Sequence, residues 1–159
     1  MTRIAITGHR GLPPETTTRV GVEIRTEVVK RVGADLVGVS LIADGPDSLF
    51  ACAVLELGGS LVVVVPSRRY REGLPTEHHL VYDELYSAAS EVIALDREES
   101  DSEAHQAGSV RMLEEADELL AVWDGQPARG YGGTADVVAA ARDRAMPVTV
   151  IWPVGATRD

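Results

Sequence analysis

Residues 61–65 read Leu-Val-Val-Val-Val, an unbroken apolar run between Gly58-Gly59 and Pro66. A strand with no polar alternation has no face to give to water, so it must be covered on both sides, as in a parallel sheet sandwiched between helices. The rest of the chain keeps a compatible rhythm. Short strand-like runs at 3–7, 36–42, 92–95, 119–123 and 148–152 alternate with helical stretches. After Pro13 and Pro14, Val20, Ile24, Val28 and Val32 step by four until Gly33. Phe50, Ala53, Val54 and Leu57 follow the i, i+3, i+4, i+7 pattern of one helix face. Further helices are expected at about 77–89, 102–115 and 134–145. Six alternations of strand and helix predict an α/β three-layer fold with a six-stranded, mostly parallel sheet. Right-handed crossovers and a centrally placed first strand favour the order 3-2-1-4-5-6. No linker-like or low-complexity segment interrupts the 159 residues, which read as a single domain spanning 1–159.

Charge narrows the function classes. Fifteen basic against 25 acidic residues give a formal net charge of −10, which disfavours duplex nucleic acid and anionic membranes as partners. The longest apolar run is too short to span a bilayer, and a cytoplasmic location is expected. Cys52 is the single cysteine and reads as a small hydrophobe on a helix face. The chain carries no G-x-S-x-G elbow, no H-E-x-x-H and no Cys/His set for zinc, so no metal site is expected.

Ligands of open parallel sheets bind beyond the carboxyl ends of the strands, near the point where strand order reverses. The loops expected there are polar and rich in glycine. Strand 1 feeds Gly8-His9-Arg10, strand 2 feeds Asp44-Gly45-Pro46-Asp47, and strand 3 feeds a basic cluster that includes Arg68. Strand 5 feeds a long loop ending in Gly132-Gly133-Thr134 directly before a helix. Glycines at a helix start let an anion approach backbone N–H groups beside the positive end of the helix dipole, which makes a phosphate cradle. Gly8, His9 and Arg10 offer an amide, an imidazole and a guanidinium to the same ligand, and Arg68 a further charge. Asp44, Asp47, Asp124 and Asp136 are candidates for acid, base or ribose-hydroxyl acceptor, and spacing does not tell which of them meet. His78, His79 and His105 read as solvated helix residues. The acidic residues 96–103 form either a lid or a solvated loop.

The stretches ITGHRGL, IADGPDSLFACAVLELGG, VVVVPSRRY, VRMLEEADELLAVWDG and GGTADVVAAA together resemble the SLOG superfamily. These are Rossmann-like nucleotide-binding proteins that include the DNA-processing protein A group and the Lonely Guy phosphoribohydrolases. The T-G-H-R start and the W-D-G and G-G-T stretches are most similar to the YpsA-like branch, whose fold also resembles molybdenum cofactor carriers. The resemblance implies a nucleotide or nucleotide-derived ligand held by Gly8, His9, Arg10, Gly45, Gly132, Gly133 and Thr134, often in a homodimer, and no certain cofactor. It does not imply turnover. Where the Lonely Guy pattern P-G-G-x-G-T-x-x-E has its catalytic Glu, this chain has Val137, and Asp136 one residue earlier is turned by about 100° on the helix. The arginine that the same proteins usually place nine residues before the Asp of an Ala-Asp pair, here Ala116-Asp117, falls at Gly108, with Arg111 the nearest alternative.

The leading expectation is therefore a nucleotide-binding module without strong catalysis. One alternative is hydrolysis of the N-glycosidic bond of a nucleoside monophosphate, with Asp136 or Asp124 as the carboxylate and Arg111 or Arg10 holding phosphate. Another is a molybdenum cofactor carrier-like or interaction module.

Overall fold

The computed structural model describes residues 2–33 and 35–158. Six strands form one sheet: β1 (Thr2–Gly8), β2 (Leu36–Ser40), β3 (Ser60–Val65), β4 (Glu91–Ala94), β5 (Glu118–Val122) and β6 (Val148–Ile151). All neighbouring pairs are parallel. The principal helices are α1 (Pro14–Val29), α2 (Pro46–Glu56), α4 (His79–Ala88), α5 (Ser102–Glu114) and α6 (Thr134–Asp143). A single turn, α3 (Tyr70–Gly73), and a 3-10 turn at Thr76–His78 precede α4. The α/β class, the Rossmann-like layering and nearly every element follow the expectation.

The strand order is β4-β3-β2-β1-β5-β6, and it differs from the expected one in the place of β4. The expected order would leave β3 at an edge. Residues 61–64 of β3 are nevertheless buried, so an edge position would expose an apolar strand with unpaired backbone. β4 covers that edge instead: Val62 to Val65 pair with Glu91 to Ala94. β4 is short and partly exposed, as an edge strand tolerates. The chain thus winds outward from β1 to β4, then crosses back to lay β5 on the other side of β1.

The sheet separates two apolar layers. Ile4, Ile6, Leu120 and Val122 face Val20, Ile24 and Val28 of α1 and Phe50 and Val54 of α2. Ala5, Leu119 and Ala121 face Met112 and Leu113 of α5 and Val137, Val138 and Ala141 of α6. The step of four in α1 is what aligns its three fully buried side chains, and each such burial contributes about 1.5–3 kcal/mol. Among the described residues no helix is long and apolar enough to cross a membrane, and no cluster of His, Cys, Asp and Glu could hold a metal ion.

Candidate functional site

At the carboxyl ends of β1 and β5, where the winding reverses, a cavity of about 330 Å³ opens between the loops. Ile6, Leu41, Met112 and Val137 form its apolar base, and the rest of the lining comes from six separate segments. β1 supplies Thr7 to Arg10, and the loop after β2 with the start of α2 supplies Ala43 and Asp47. α3 supplies Tyr70, α5 supplies His105 and Ser109, and the loop after β5 supplies residues 128–134. Arg158 joins them from the segment after β6.

Three arginines, Arg10, Arg129 and Arg158, therefore surround one cavity in a chain of net charge −10. Arg10 is held in place by Asp44: its Nε donates to Oδ1 at 2.9 Å, and its terminal nitrogen lies 2.6 Å from the same oxygen. α6 begins at the rim, and the N–H groups of Thr134 and Ala135 take no partner among the described residues. They point the positive end of the helix dipole at the same space. The two glycine amides are used within the loop. Gly132 N–H donates to Asp136 Oδ2 at 2.8 Å, and Gly133 N–H to Gly130 O at 3.3 Å. The open amides thus lie one and two residues beyond Gly133. Gly132 has φ +84°, and a Cβ there would come within 2.9 Å of Ser102 O, so glycine is required by the turn itself.

His9 organises the junction of β1 and β5. Its backbone N–H donates to Val122 O at 3.1 Å, and its Nε2 lies 3.1 Å from both Asp124 Oδ1 and Asp124 N. Its ring packs edge-on to Trp152 with centroids 5.8 Å apart. Burial, followed by the charge of Arg158, lowers the His9 pKa, against the opposing pull of the Asp124 carboxyl. Burial opposes ionisation of Asp124, but the Gln126 N–H at 3.0 Å and the His9 ring hold its carboxyl below the ordinary range. His9 is a buried strut of the site as well as part of its wall.

The structure brings Gly8, His9, Arg10, Gly132, Gly133 and Thr134 to the cavity, with Asp44 behind Arg10. Gly45, at φ +90°, lies behind His9 and borders a second hollow of about 220 Å³ with Leu12, Thr17 and Val20. Arg68 is not among the lining residues. It is exposed and pairs with Asp96 and Glu98, while its backbone and that of Arg69 bond Arg97 O and Glu98 O at 2.8 and 3.1 Å. The acidic segment 96–98 is therefore fastened to the loop after β3. Arg111 also stands away from the cavity, 3.7 Å from Glu115 in the last turn of α5. Asp136 caps its own loop through Gly132 and is not part of the lining.

Gly108 has its own cause, because a Cβ there would lie 2.8 Å from the Pro66 ring, where α5 crosses the end of β3.

Two histidines differ from the sequence expectation. His105 lines the cavity, with Ser100 Oγ 2.9 Å from its Nε2 and Tyr70 against its ring. Its pKa is lowered by burial and then by Arg10. His78 is buried, and its Nε2 donates to Ile42 O at 2.9 Å. His78→Phe would leave that carbonyl only the distant Ser48 hydroxyl at 3.4 Å, with an expected loss of about 1–3 kcal/mol in urea denaturation. Sequence reasoning also passed over Arg129 and Arg158. The position of Arg129 in the richest glycine loop was a usable signal, whereas nothing local marks Arg158.

Fold and site together define a Rossmann-like α/β domain with a cationic crevice at its topological reversal. No family model matches the chain, and neither does any curated protein. Among solved structures, DNA processing protein A from Streptococcus pneumoniae superposes with a TM-score of 0.69 at 16% identity, over 98% of this chain and 52% of that one. The chain thus spans about half the length of that protein. DNA processing protein A from Helicobacter pylori, described by its single-stranded DNA binding mode, gives 0.65 at 20% identity over 98% and 68%. The Moco carrier protein of Chlamydomonas gives 0.54 at 16% identity over 94% and 74%. At these identities the likeness is one of fold, and the Rossmann-like fold implied by the resemblance is the fold observed.

One expectation is corrected by these likenesses. The net charge of −10 disfavours duplex nucleic acid and leaves only a small nucleotide-like ligand as the expected partner, yet this fold serves a protein described by its single-stranded DNA binding mode. The physical reason is locality: net charge governs long-range attraction, whereas contact is decided by the groups at the site, and here these include the three arginines.

Proposed function

We propose that the cavity binds a small phosphorylated, nucleotide-like molecule and that the protein acts by binding it rather than by turning it over. The observation that supports this most is the convergence of Arg10, Arg129 and Arg158 with the open amides of α6 on one cavity. Guanidinium groups and helix N-termini are both suited to phosphate oxygens, and their bonds to a charged acceptor are about twice as strong as neutral ones. The apolar base formed by Ile6, Leu41, Met112 and Val137, with Tyr131 at the rim, suits the uncharged part of such a ligand. A purely binding role is consistent with the use of Asp124 and Asp136 inside the protein, since a carboxylate already bonded to its own loop is poorly placed to activate water.

The test is a thermal-shift titration with nucleoside mono-, di- and triphosphates, a short single-stranded oligodeoxynucleotide and a pterin phosphate. The last two probe the ligands of the proteins that share the fold. Ligand at about 100 times Kd adds about 2.7 kcal/mol to native stability, a shift of several degrees. Gly133→Asp puts a negative charge beside the α6 amides, and its Cβ would meet Ala128 at 3.0 Å. The shift is expected in the wild type and lost in this variant. An equal shift in both would contradict the placement of phosphate at α6.

A further inference from the structure

Asp47 is a charged-type residue in the cavity whose role the phosphate reading leaves unexplained. It is the second residue of α2 and lines the cavity on the β2 side. Its carboxyl receives one long bond, from Ala43 N–H at 3.4 Å. Arg10, whose charge reaches it, gives its hydrogen bonds to Asp44. Burial outweighs both the Ala43 bond and Arg10 and pushes the carboxyl up to about 7. The Tyr70 and Ser109 hydroxyls line the same cavity, and neither has a partner among the described residues. Asp47 is half-buried, and a half-buried carboxyl with so few protein bonds is costly unless something in the cavity supplies donors.

The backbone that presents Asp47 is built with strain. Ile42 adopts φ +47°, a left-handed conformation that a β-branched residue resists. Several bonds hold it there. Ile42 N–H donates to Ser40 Oγ at 3.0 Å, and Ile42 O accepts from His78. Ser48 Oγ donates to Ala43 O at 2.6 Å, and Ser40 Oγ donates to Asp47 O at 3.1 Å. This network fixes the turn from β2 into α2 and with it the position of the Asp47 carboxyl. An over-determined, strained turn carrying an under-bonded carboxyl into a cavity is the arrangement of a ligand contact rather than of a stabilising one.

The cavity also has two chemically different ends. Arg129 and the start of α6 follow β5 and Arg158 follows β6, whereas Asp47 follows β2 and Tyr70 follows β3, with β1 and its Arg10 between. From β5 to β2 is two strand spacings, roughly 10 Å. A molecule that bridges them needs an anionic end and, at that distance, uncharged hydrogen-bond donors.

We propose that Asp47 is the specificity-determining residue of this site: its carboxyl accepts hydrogen bonds from adjacent O–H or N–H donors on the uncharged part of the bound nucleotide. This rests on the binding function proposed above. Adjacent donors of this kind come from a ribose cis-diol or from the amide and amino edge of a base, and the experiment separates these sources.

Isothermal titration of the full chain would use the 5′-monophosphates of guanosine, inosine and adenosine, 2′,3′-dideoxyguanosine monophosphate and inorganic phosphate, against wild type, Asp47→Asn and Asp47→Ala. Circular dichroism and cooperative unfolding would confirm that each variant is folded, with the isosteric Asn variant retained if Ala fails. A nucleotide that binds the wild type is expected to lose about tenfold or more in affinity in either variant, while inorganic phosphate is unaffected. The analogue that lacks the donor read by Asp47 should bind the wild type equally weakly and be indifferent to the substitution. Loss with the dideoxy compound assigns the ribose, and loss on going from guanosine to inosine assigns the base edge. Equal nucleotide affinity in wild type and both variants would overturn this inference and leave the binding function standing. No nucleotide binding by the wild type would overturn both.

Discussion

Asp47→Asn is expected to be more stable than the wild type at pH 8, by up to about 4 kcal/mol, and nearly equal to it at pH 4. The Asp47 carboxyl is pushed from 3.8 to about 7 by burial, against the opposing pull of the Ala43 N–H and Arg10. Below pH 4 the group is protonated in both folded and unfolded chains and costs nothing. Between pH 4 and pH 7 the unfolded chain releases the proton while the folded chain keeps it, so wild-type stability falls with rising pH. The fall is about 1.4 kcal/mol per unit over roughly three units. Above pH 7 both states are ionised and the loss is complete. Asn carries no such titration, and the other groups largely cancel in the difference between the two proteins. Urea denaturation of both across this range measures it directly. Curves that stay parallel would show that Asp47 ionises as easily folded as unfolded. The expected gain in stability accompanies an expected loss of ligand affinity, which is the pattern of a residue retained for recognition at a cost to the fold.

The second large effect is expected at Gly8. A Cβ there would stand 2.8 Å from the Pro46 ring and 2.9 Å from Val122 Cβ, so β1 ends in direct contact with the start of α2 and with β5. Gly8→Ala must therefore spread the junction from which His9 and Arg10 project. A destabilisation of about 1–3 kcal/mol is expected, as for overpacking of a dense interior, together with weaker nucleotide binding. Chemical denaturation and titration of the same variant read the two consequences. A fully stable Gly8→Ala protein would contradict the close packing. The sequence motif marks Gly8 as a ligand contact, and the structure adds a packing reason for the same glycine.

Much of this architecture is legible in the chain because its signals are local. The apolar run at 61–65 requires burial on both faces, and the step of four through Val20, Ile24 and Val28 requires one covered helix face. Strand order is less legible, since it depends on which edge needs cover; the polar, four-residue β4 is the edge-like strand, and it takes the place beside β3.

The site is legible as a set of loops but not as a set of roles. Asp47 and Asp136 both lie in the first turn of a helix, where an acidic residue is ordinarily favoured by the dipole. Only the fold separates them, because Asp136 reaches Gly132 N–H at 2.8 Å whereas Asp47 faces the cavity with a single long bond. His78 is buried by a strained turn 36 residues earlier in the chain, which no local pattern announces. Arg68 and Arg129 are both loop arginines. One is tied to Asp96 and Glu98 on the surface, and the other lines the cavity.

If this cavity, and no other surface of the protein, receives a phosphorylated ligand, amide chemical shifts will move there and nowhere else. In the nitrogen-15-labelled chain titrated with the nucleotide that gives the largest thermal shift, perturbations are expected to concentrate at residues 8–10, 43–47 and 129–135, with the amides of Thr134 and Ala135 among the largest. Perturbations that gather on the outer face of α1 or along β4, with those amides unmoved at saturation, would contradict this placement of the ligand.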